Sequence, residues 1–345
     1  MPEKKHSLFR IYGFAFAVTA LLLIFVGFKE GLAAFVTVLI LAALEVTFSF
    51  DNAIVNARIL QSMSRRWQTI FMTLGIFIAV FVVRVLLPIF IVSLTSHTGF
   101  THVVDLALHN PAEYSEHLDV AHPMIATFGG IFLLMLFLDF VFENRKIKWL
   151  KKIETILAQV GKIENMSVVL AITALLGVAF LFVTPEEQFS VIVSGLVGLG
   201  VYLLISALDS LGGGDGNDVE KIVKSGIVGF LYLELIDASF SLDGVIGAFA
   251  LTKNIILIAA GLGIGALFVR SMTVHLLRRG VLAKYRYLEH GAHYAIGILA
   301  LLMLLSVKLE VPEFITGGTG ILVIGLALIH SYREAKLHDI KLLSE

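Results

Sequence analysis

The chain has 345 residues, 58% hydrophobic and 15% charged, with a net charge of −1 and a mean hydropathy of +0.92. A soluble domain carries about 25% charged residues, so an apolar excess of this size cannot be hidden in one core. The absence of cysteine excludes disulfides, thiolate metal sites and thiol redox chemistry, and the near-neutral balance gives no footing for a nucleic-acid partner.

A membrane span needs about 20 largely apolar residues. Ten runs meet that need, near 9–28, 31–57, 67–95, 123–143, 166–184, 187–208, 219–250, 254–277, 287–307 and 317–332. The predicted fold is an all-α polytopic membrane protein of about ten transmembrane helices. Residues 1–30 carry the N-terminal span; Ile11 to Phe28 exceeds the h-region of a signal peptide, about 7–15 residues, and reads as a retained span. Residues 31–143 form a first unit, interrupted by an extracytoplasmic loop at 96–122 that holds His97, His102, His109, His117 and His122. Imidazole beside carboxylates suits divalent metals, although a solvated loop explains the same residues more simply. Residues 144–165 are basic and amphipathic, with Ile147, Trp149, Leu150 and Ile153 among Arg145, Lys146, Lys148, Lys151 and Lys152, and predict a linker on the cytoplasmic leaflet. Two connecting spans fill 166–210, a second unit 219–307, and a last span with a cytoplasmic tail 308–345.

Basic residues sit on alternate connections: Lys4, Lys5 and Arg10; Arg58, Arg65 and Arg66; the linker; Arg278, Arg279, Lys284 and Arg286; then Arg333, Lys336 and Lys341. The positive-inside rule therefore places both termini in the cytoplasm, with the chain in the bacterial cytoplasmic membrane. The acidic stretch 212–218 is uninformative, though Lys221 and Lys224 follow it.

The two long acidic runs repeat one another. Glu45-Val-Thr-Phe-Ser-Phe-Asp51-Asn52 returns as Asp237-Ala-Ser-Phe-Ser-Leu-Asp243-Gly244. Gly75 with Arg84 nine residues on matches Gly261 with Arg270, and His122 with Gly129 seven on matches His290 with Gly297. Three markers in three successive spans define two three-helix units. The units begin at the second and seventh spans; that odd offset makes the repeat inverted, the arrangement of many secondary transporters.

A charge at the bilayer centre costs at least about 2.5–3.5 kcal/mol. Glu45, Asp51, Glu234, Asp237 and Asp243 must therefore face a cavity, bind ions or pair with cations, and Arg84 and Arg270 supply two partners. Five carboxylates and two guanidiniums leave −5 + 2 = −3, an excess suited to a divalent cation or to protons. At about 100° per residue, Glu45, Ser49, Asn52 and Asn56 share one stripe, as do Asp237, Ser241 and Gly244, whereas Asp51 and Asp243 lie about 120° away. An interruption of each helix near its Asp would bring all of them together. Hard oxygen ligands suit magnesium, calcium and manganese. The expected metal ligands are Glu45, Asp51, Asn52, Asp237 and Asp243, supported by Ser49, Ser241, Glu234, Arg84 and Arg270. Small polar residues at helix crossings and purely structural acid–arginine pairs are the competing readings. An intramembrane aspartyl protease needs two acids sharing a proton across a wet site, which two separate acid pairs do not match, so no enzyme is expected.

Glu45 through Val55 (EVTFSFDNAIV), Asp237 through Val245 (DASFSLDGV) and Phe128-Gly129-Gly130 leading into Phe132-Leu133-Leu134 resemble the TerC family of integral membrane proteins, named from tellurium resistance, and more closely its longer bacterial branch. The resemblance covers roughly residues 31–306. It implies an intramembrane metal site at Glu45, Asp51 and Asn52 in the first half and Asp237 and Asp243 in the second, and a role in manganese efflux. Gly244 stands where a second Asn would make the halves symmetric, and two extra spans separate the units. The expected function is a divalent-cation transporter, most simply a manganese exporter with proton exchange through the same carboxylates. Calcium and magnesium also fit the ligands, and no organic cofactor is implied. The alternative is a membrane scaffold of a metal- or tellurite-stress complex. The expected partners are metal ions and the bilayer, with a homo-oligomer or cytoplasmic stress-response proteins in addition.

Overall fold

The structure, a computed structural model, describes the backbone of residues 8–96, 98–211 and 226–344. Lys4, Lys5, His97, Lys221, Lys224 and the acidic stretch 212–218 lie outside the described residues, as do the side chains of Arg10, Asp243, Lys336 and Lys341. Described residues form helices and no strand. In chain order they are α1 (Leu8–Phe48), α2 (Phe50–Ser62), α3 (Arg65–Ile70), π-helical segments Phe71–Gly75 and Ile78–Leu86, α4 (Leu87–Thr95), α5 (Phe100–His109), α6 (Pro111–Phe142), α7 (Lys151–Val160), α8 (Met166–Leu181), α9 (Pro185–Leu211), α10 (Ile227–Leu251), α11 (Ile255–Arg278), α12 (Val281–Lys284), α13 (Leu288–Ser306) and α14 (Glu313–Ser344).

The molecule is apolar outside and polar within. Phe28 is 90% exposed, and Phe14, Phe81 and Leu204 also face outward, whereas Glu45, Asp51, Arg84, Asp237 and Arg270 are buried. In water this pattern would be ruinous; in a bilayer it is the expected one, because lipid is the apolar solvent and polar groups seek partners inside the bundle.

Seven helices among the described residues are long and apolar enough to cross a membrane, rather than the ten runs expected. The difference has three causes. The stretch Ile11–Phe48 counts as one helix of 38 residues, about 57 Å of helix against a hydrocarbon core of about 30 Å. The apolar α8 has 16 residues, and α10 carries three acids. Within α1 the helix is interrupted at Gly31 (φ 87°, ψ 179°), a combination essentially confined to glycine. The chain reverses there. Along α11, Tyr12 lies against His275 and Phe16 against Phe268, so the first half of α1 runs antiparallel to α11. Val38 and Leu41 meet Gly261, and Ala42 and Glu45 meet Gly265, so the second half runs parallel to it.

Two further expectations are corrected. The His-rich segment 96–122 is largely helical rather than a loop: α5 occupies Phe100–His109, and α6 starts at Pro111, with proline at the start of the helix where its missing N–H costs nothing. The linker is helical only over Lys151–Val160, and Glu154 within it is buried, accepting the N–H groups of Trp149 (3.1 Å) and Leu150 (2.8 Å). Glycines set the closest helix contacts. Gly129 faces Met303 and Gly297 faces Phe137 across α6 and α13, while Gly75 faces Glu234 and Arg270.

Candidate functional site

The helix that carries the first acidic motif is distorted where it was expected to break. Ser49 separates α1 from α2 with φ −96° and ψ 21°, yet the ladder continues through Ser49 N–H to Glu45 O (3.0 Å) and Ala53 N–H to Ser49 O (3.2 Å). The turn is distorted but not unwound. Glu45, Ser49 and Asp51 line one cavity of about 50 Å³, which Gly244, Thr316 and Gly317 also line. At about 10–15 Å³ per water centre, the cavity holds about three to five water-sized groups. The second motif behaves differently, since α10 is helical throughout Ile227–Leu251 with no interruption at Asp243.

Two buried guanidiniums organise the acids. Arg84 donates to Glu45 Oε1 at 2.5 Å and to Ala79 O at 2.7 Å, and Ser49 Oγ donates to the same carboxylate oxygen at 3.1 Å. Arg270 donates to Phe71 O (2.9 Å), Gly75 O (3.0 Å) and Glu234 Oε1 (3.3 Å). It also lies 3.8 Å from Asp237 Oδ2 and over the Phe71 ring at 3.6 Å. The carbonyls it takes belong to the first π-helical segment, whose wider turn aims them sideways; such turns occur frequently at functional positions. Asn52 faces the opposite helix and donates through Nδ2 to Asp237 Oδ1 at 2.7 Å. Asp51 accepts the Asn52 N–H at 2.8 Å and meets no arginine among the described residues.

The expected ligands therefore divide into two groups. Glu45, Asp51 and Ser49 meet at the cavity, while Asn52, Asp237, Glu234 and Arg270 meet between α2 and α10. Ser241 is buried on α10, and its Oγ has no hydrogen-bond partner among the described residues. Among the described residues, no three His, Asp or Glu side chains stand close enough to hold a metal by themselves. Arg84 holds Glu45, while Arg270 stands against both Glu234 and Asp237, which splits these acids into two groups. An ion at the cavity would therefore use Asp51 and Glu45 together with hydroxyl oxygens and water.

Two parts of the site escaped the sequence reading. The start of α14 closes the cavity through Thr316 and Gly317, and a Cβ on Gly320 would stand 3.7 Å from Asp51 Oδ2; the small-residue run Thr316-Gly-Gly-Thr-Gly was the available signal. At the far end of α2, Arg58 and Arg145 both reach Glu289, at 3.3 and 3.1 Å. A larger crevice of about 900 Å³ lies between the first half of α1, the π-helical segments and α11, but its walls are apolar apart from Thr73, Arg270 and Ser271. It brings no pair of acids together.

Neither the curated proteins nor the solved structures contain a match to this chain. A family model described as "Protein of unknown function (DUF475)" matches residues 50–338, which include Asp51, Asn52, Asp237 and Asp243 and exclude Glu45. With most of its length matched, the chain belongs to the DUF475 family.

Proposed function

We propose that the protein is a divalent-cation transporter of the bacterial cytoplasmic membrane, most simply a proton-coupled manganese exporter, built from two inverted three-helix units in a ten-span chain with both termini cytoplasmic. The observation that carries this reading is the cavity that Glu45, Ser49 and Asp51 line together, with Gly244 of the second motif in its wall. A hard-oxygen set of this kind suits manganese, magnesium or calcium. Its Asp51 carboxylate is exempt from arginine pairing among the described residues, and an unpaired acid inside a bilayer is by default a functional group. Asp243 completes the expected ligand set from the sequence.

The repeat is supported by equivalent contacts. Gly75 packs on α10 beside Glu234, three residues before Asp237, and Gly261 packs on α1 at Leu41, four residues before Glu45. Gly129 and Gly297 each face the other unit's third helix. The reversal at Gly31, the short α8 and the acidic α10 bring seven apolar helices to ten spans. The similarity to TerC proteins supports the same ion class.

A second reading, a membrane scaffold, is favoured by the Glu45–Arg84 and Glu234–Arg270 pairs, which tie helices together. The two are separated by ion flux in proteoliposomes with manganese, calcium, magnesium and zinc, comparing the unaltered chain with Asp51→Ala. Manganese-selective flux that disappears in the variant is the expected result. Absence of flux for every ion favours the scaffold.

A further inference from the structure

We propose that the contact between α2 and α10 holds a second cation site, formed by Asn52, Asn56, Glu234 and Asp237, and that its occupant is a monovalent alkali cation that couples to the divalent substrate. The inference rests on the divalent-cation transport reading above and puts an alkali cation, at a separate site, in place of the proton as the driving ion.

Two contacts fix how the helices face each other. A Cβ on Gly244 would lie 3.4 Å from Glu45 Oε2, and Asn52 is bonded to Asp237. From the first contact to the second the chain advances seven residues on one side and retreats seven on the other, so the segments are antiparallel in a constant register. That register sets Ser49 level with Phe240, and Asn56 level with Leu233, next to Glu234. At 1.5 Å per residue the Asn56 level lies about 6 Å beyond Asn52.

These side chains are at least nine-tenths buried, Asn52 and Asn56 at 1% exposure each, Asp237 at 3% and Glu234 at 7%. Yet Asn52 Oδ1, Glu234 Oε2, Asp237 Oδ2 and both polar atoms of Asn56 have no hydrogen-bond partner among the described residues. Buried polar atoms are partnered in the large majority of cases, so four acceptor oxygens within two helical turns form a donor set for a hard cation. Charge selects its valence. Glu45, Glu234 and Asp237 against Arg84 and Arg270 sum to −3 + 2 = −1, which a monovalent ion neutralises and a divalent ion overshoots. A proton would also balance the charge, but it would sit on one carboxylate and leave the Asn52 and Asn56 carbonyl oxygens without a partner.

The test uses the purified full-length chain in detergent. Thermal unfolding is followed in sodium chloride and in choline chloride at matched ionic strength and pH, and separately with manganese chloride. We expect a saturable rise in Tm with sodium. Asn56→Ala should raise the half-saturating sodium concentration at least about tenfold, one decade of affinity, and Glu234→Gln should abolish the response. Asn56→Ala should keep its manganese response, whereas Asp51→Ala should lose manganese and keep sodium. Equal Tm in sodium and choline for the unaltered chain overturns the proposal, as does an unchanged half-saturating sodium concentration in Asn56→Ala. A sodium response without any manganese response would instead overturn the divalent reading and leave this site standing.

Discussion

Arg84 and Glu45 show how a single residue can be indispensable without adding net stability. Both are buried, at 4% and 5% exposure. Replacing a whole buried ion pair by neutral groups is often nearly neutral, but removing one partner strands a charge and costs about 3–5 kcal/mol. Arg84→Ala is therefore expected to destabilise by about that amount, read as a lowered denaturation midpoint in micelles. Arg84→Met combined with Glu45→Gln should recover most of the loss; equal damage in the single and double variants would contradict the pairing. Gly265 acts on the same carboxylate from the opposite side, because a Cβ there would collide with Glu45 Cβ and Cγ. Gly265→Ala should cost about 1–3 kcal/mol as overpacking and reduce manganese flux by tilting Glu45 out of the cavity. Unchanged flux would mean that Glu45 is not a ligand.

At the scale of elements, breaks in helices decide where side chains point. The Gly31 backbone is closed to other residues at a cost of about 1–3 kcal/mol, so Gly31→Ala should lower the unfolding midpoint and loosen the first half of α1 from α11. The loss would be visible as faster proteolysis near Lys29. The linker depends on Glu154, which accepts two backbone N–H groups and receives Tyr294 Oη at 3.4 Å. Glu154→Ala leaves those donors unpaired at about 1–3 kcal/mol. Faster tryptic cutting at Lys151 and Lys152 is the expected readout, with flux through the cavity little changed; lost flux with an intact linker would give Glu154 a role in transport.

For the whole molecule, ten spans and cytoplasmic termini make a direct prediction. The chain contains no cysteine, so single cysteines can be introduced without background. In intact cells, Lys29→Cys should react with an impermeant thiol reagent and Lys148→Cys should not; in inverted vesicles the pattern should reverse. Reaction of both from one side would contradict the topology. Asn110→Cys, beside α5, should behave like Lys29→Cys.

The apolar runs, the placement of acids and arginines inside them, and the repeated markers were legible in the sequence, because hydrophobic length and the cost of intramembrane charge act locally. Pairing of intramembrane acids with Arg84 and Arg270 was anticipated for the same reason, since few cations lie at that depth, but not that Arg84 takes Glu45 and Arg270 takes Glu234. What only the tertiary structure decided was which acid each arginine leaves over. Glu45 and Asp237 hold matching positions in the two motifs, yet Glu45 pairs with Arg84 beside a cavity lined by Thr316 and Gly317 of a distant helix, while Asp237 faces Asn52 and Arg270. The helical content of 100–122 also had to be seen, because it depends on packing against the neighbouring spans. Periodicity places a residue on a stripe of its own helix; the opposing helix alone determines whether that stripe meets an arginine, an amide or an open space for an ion.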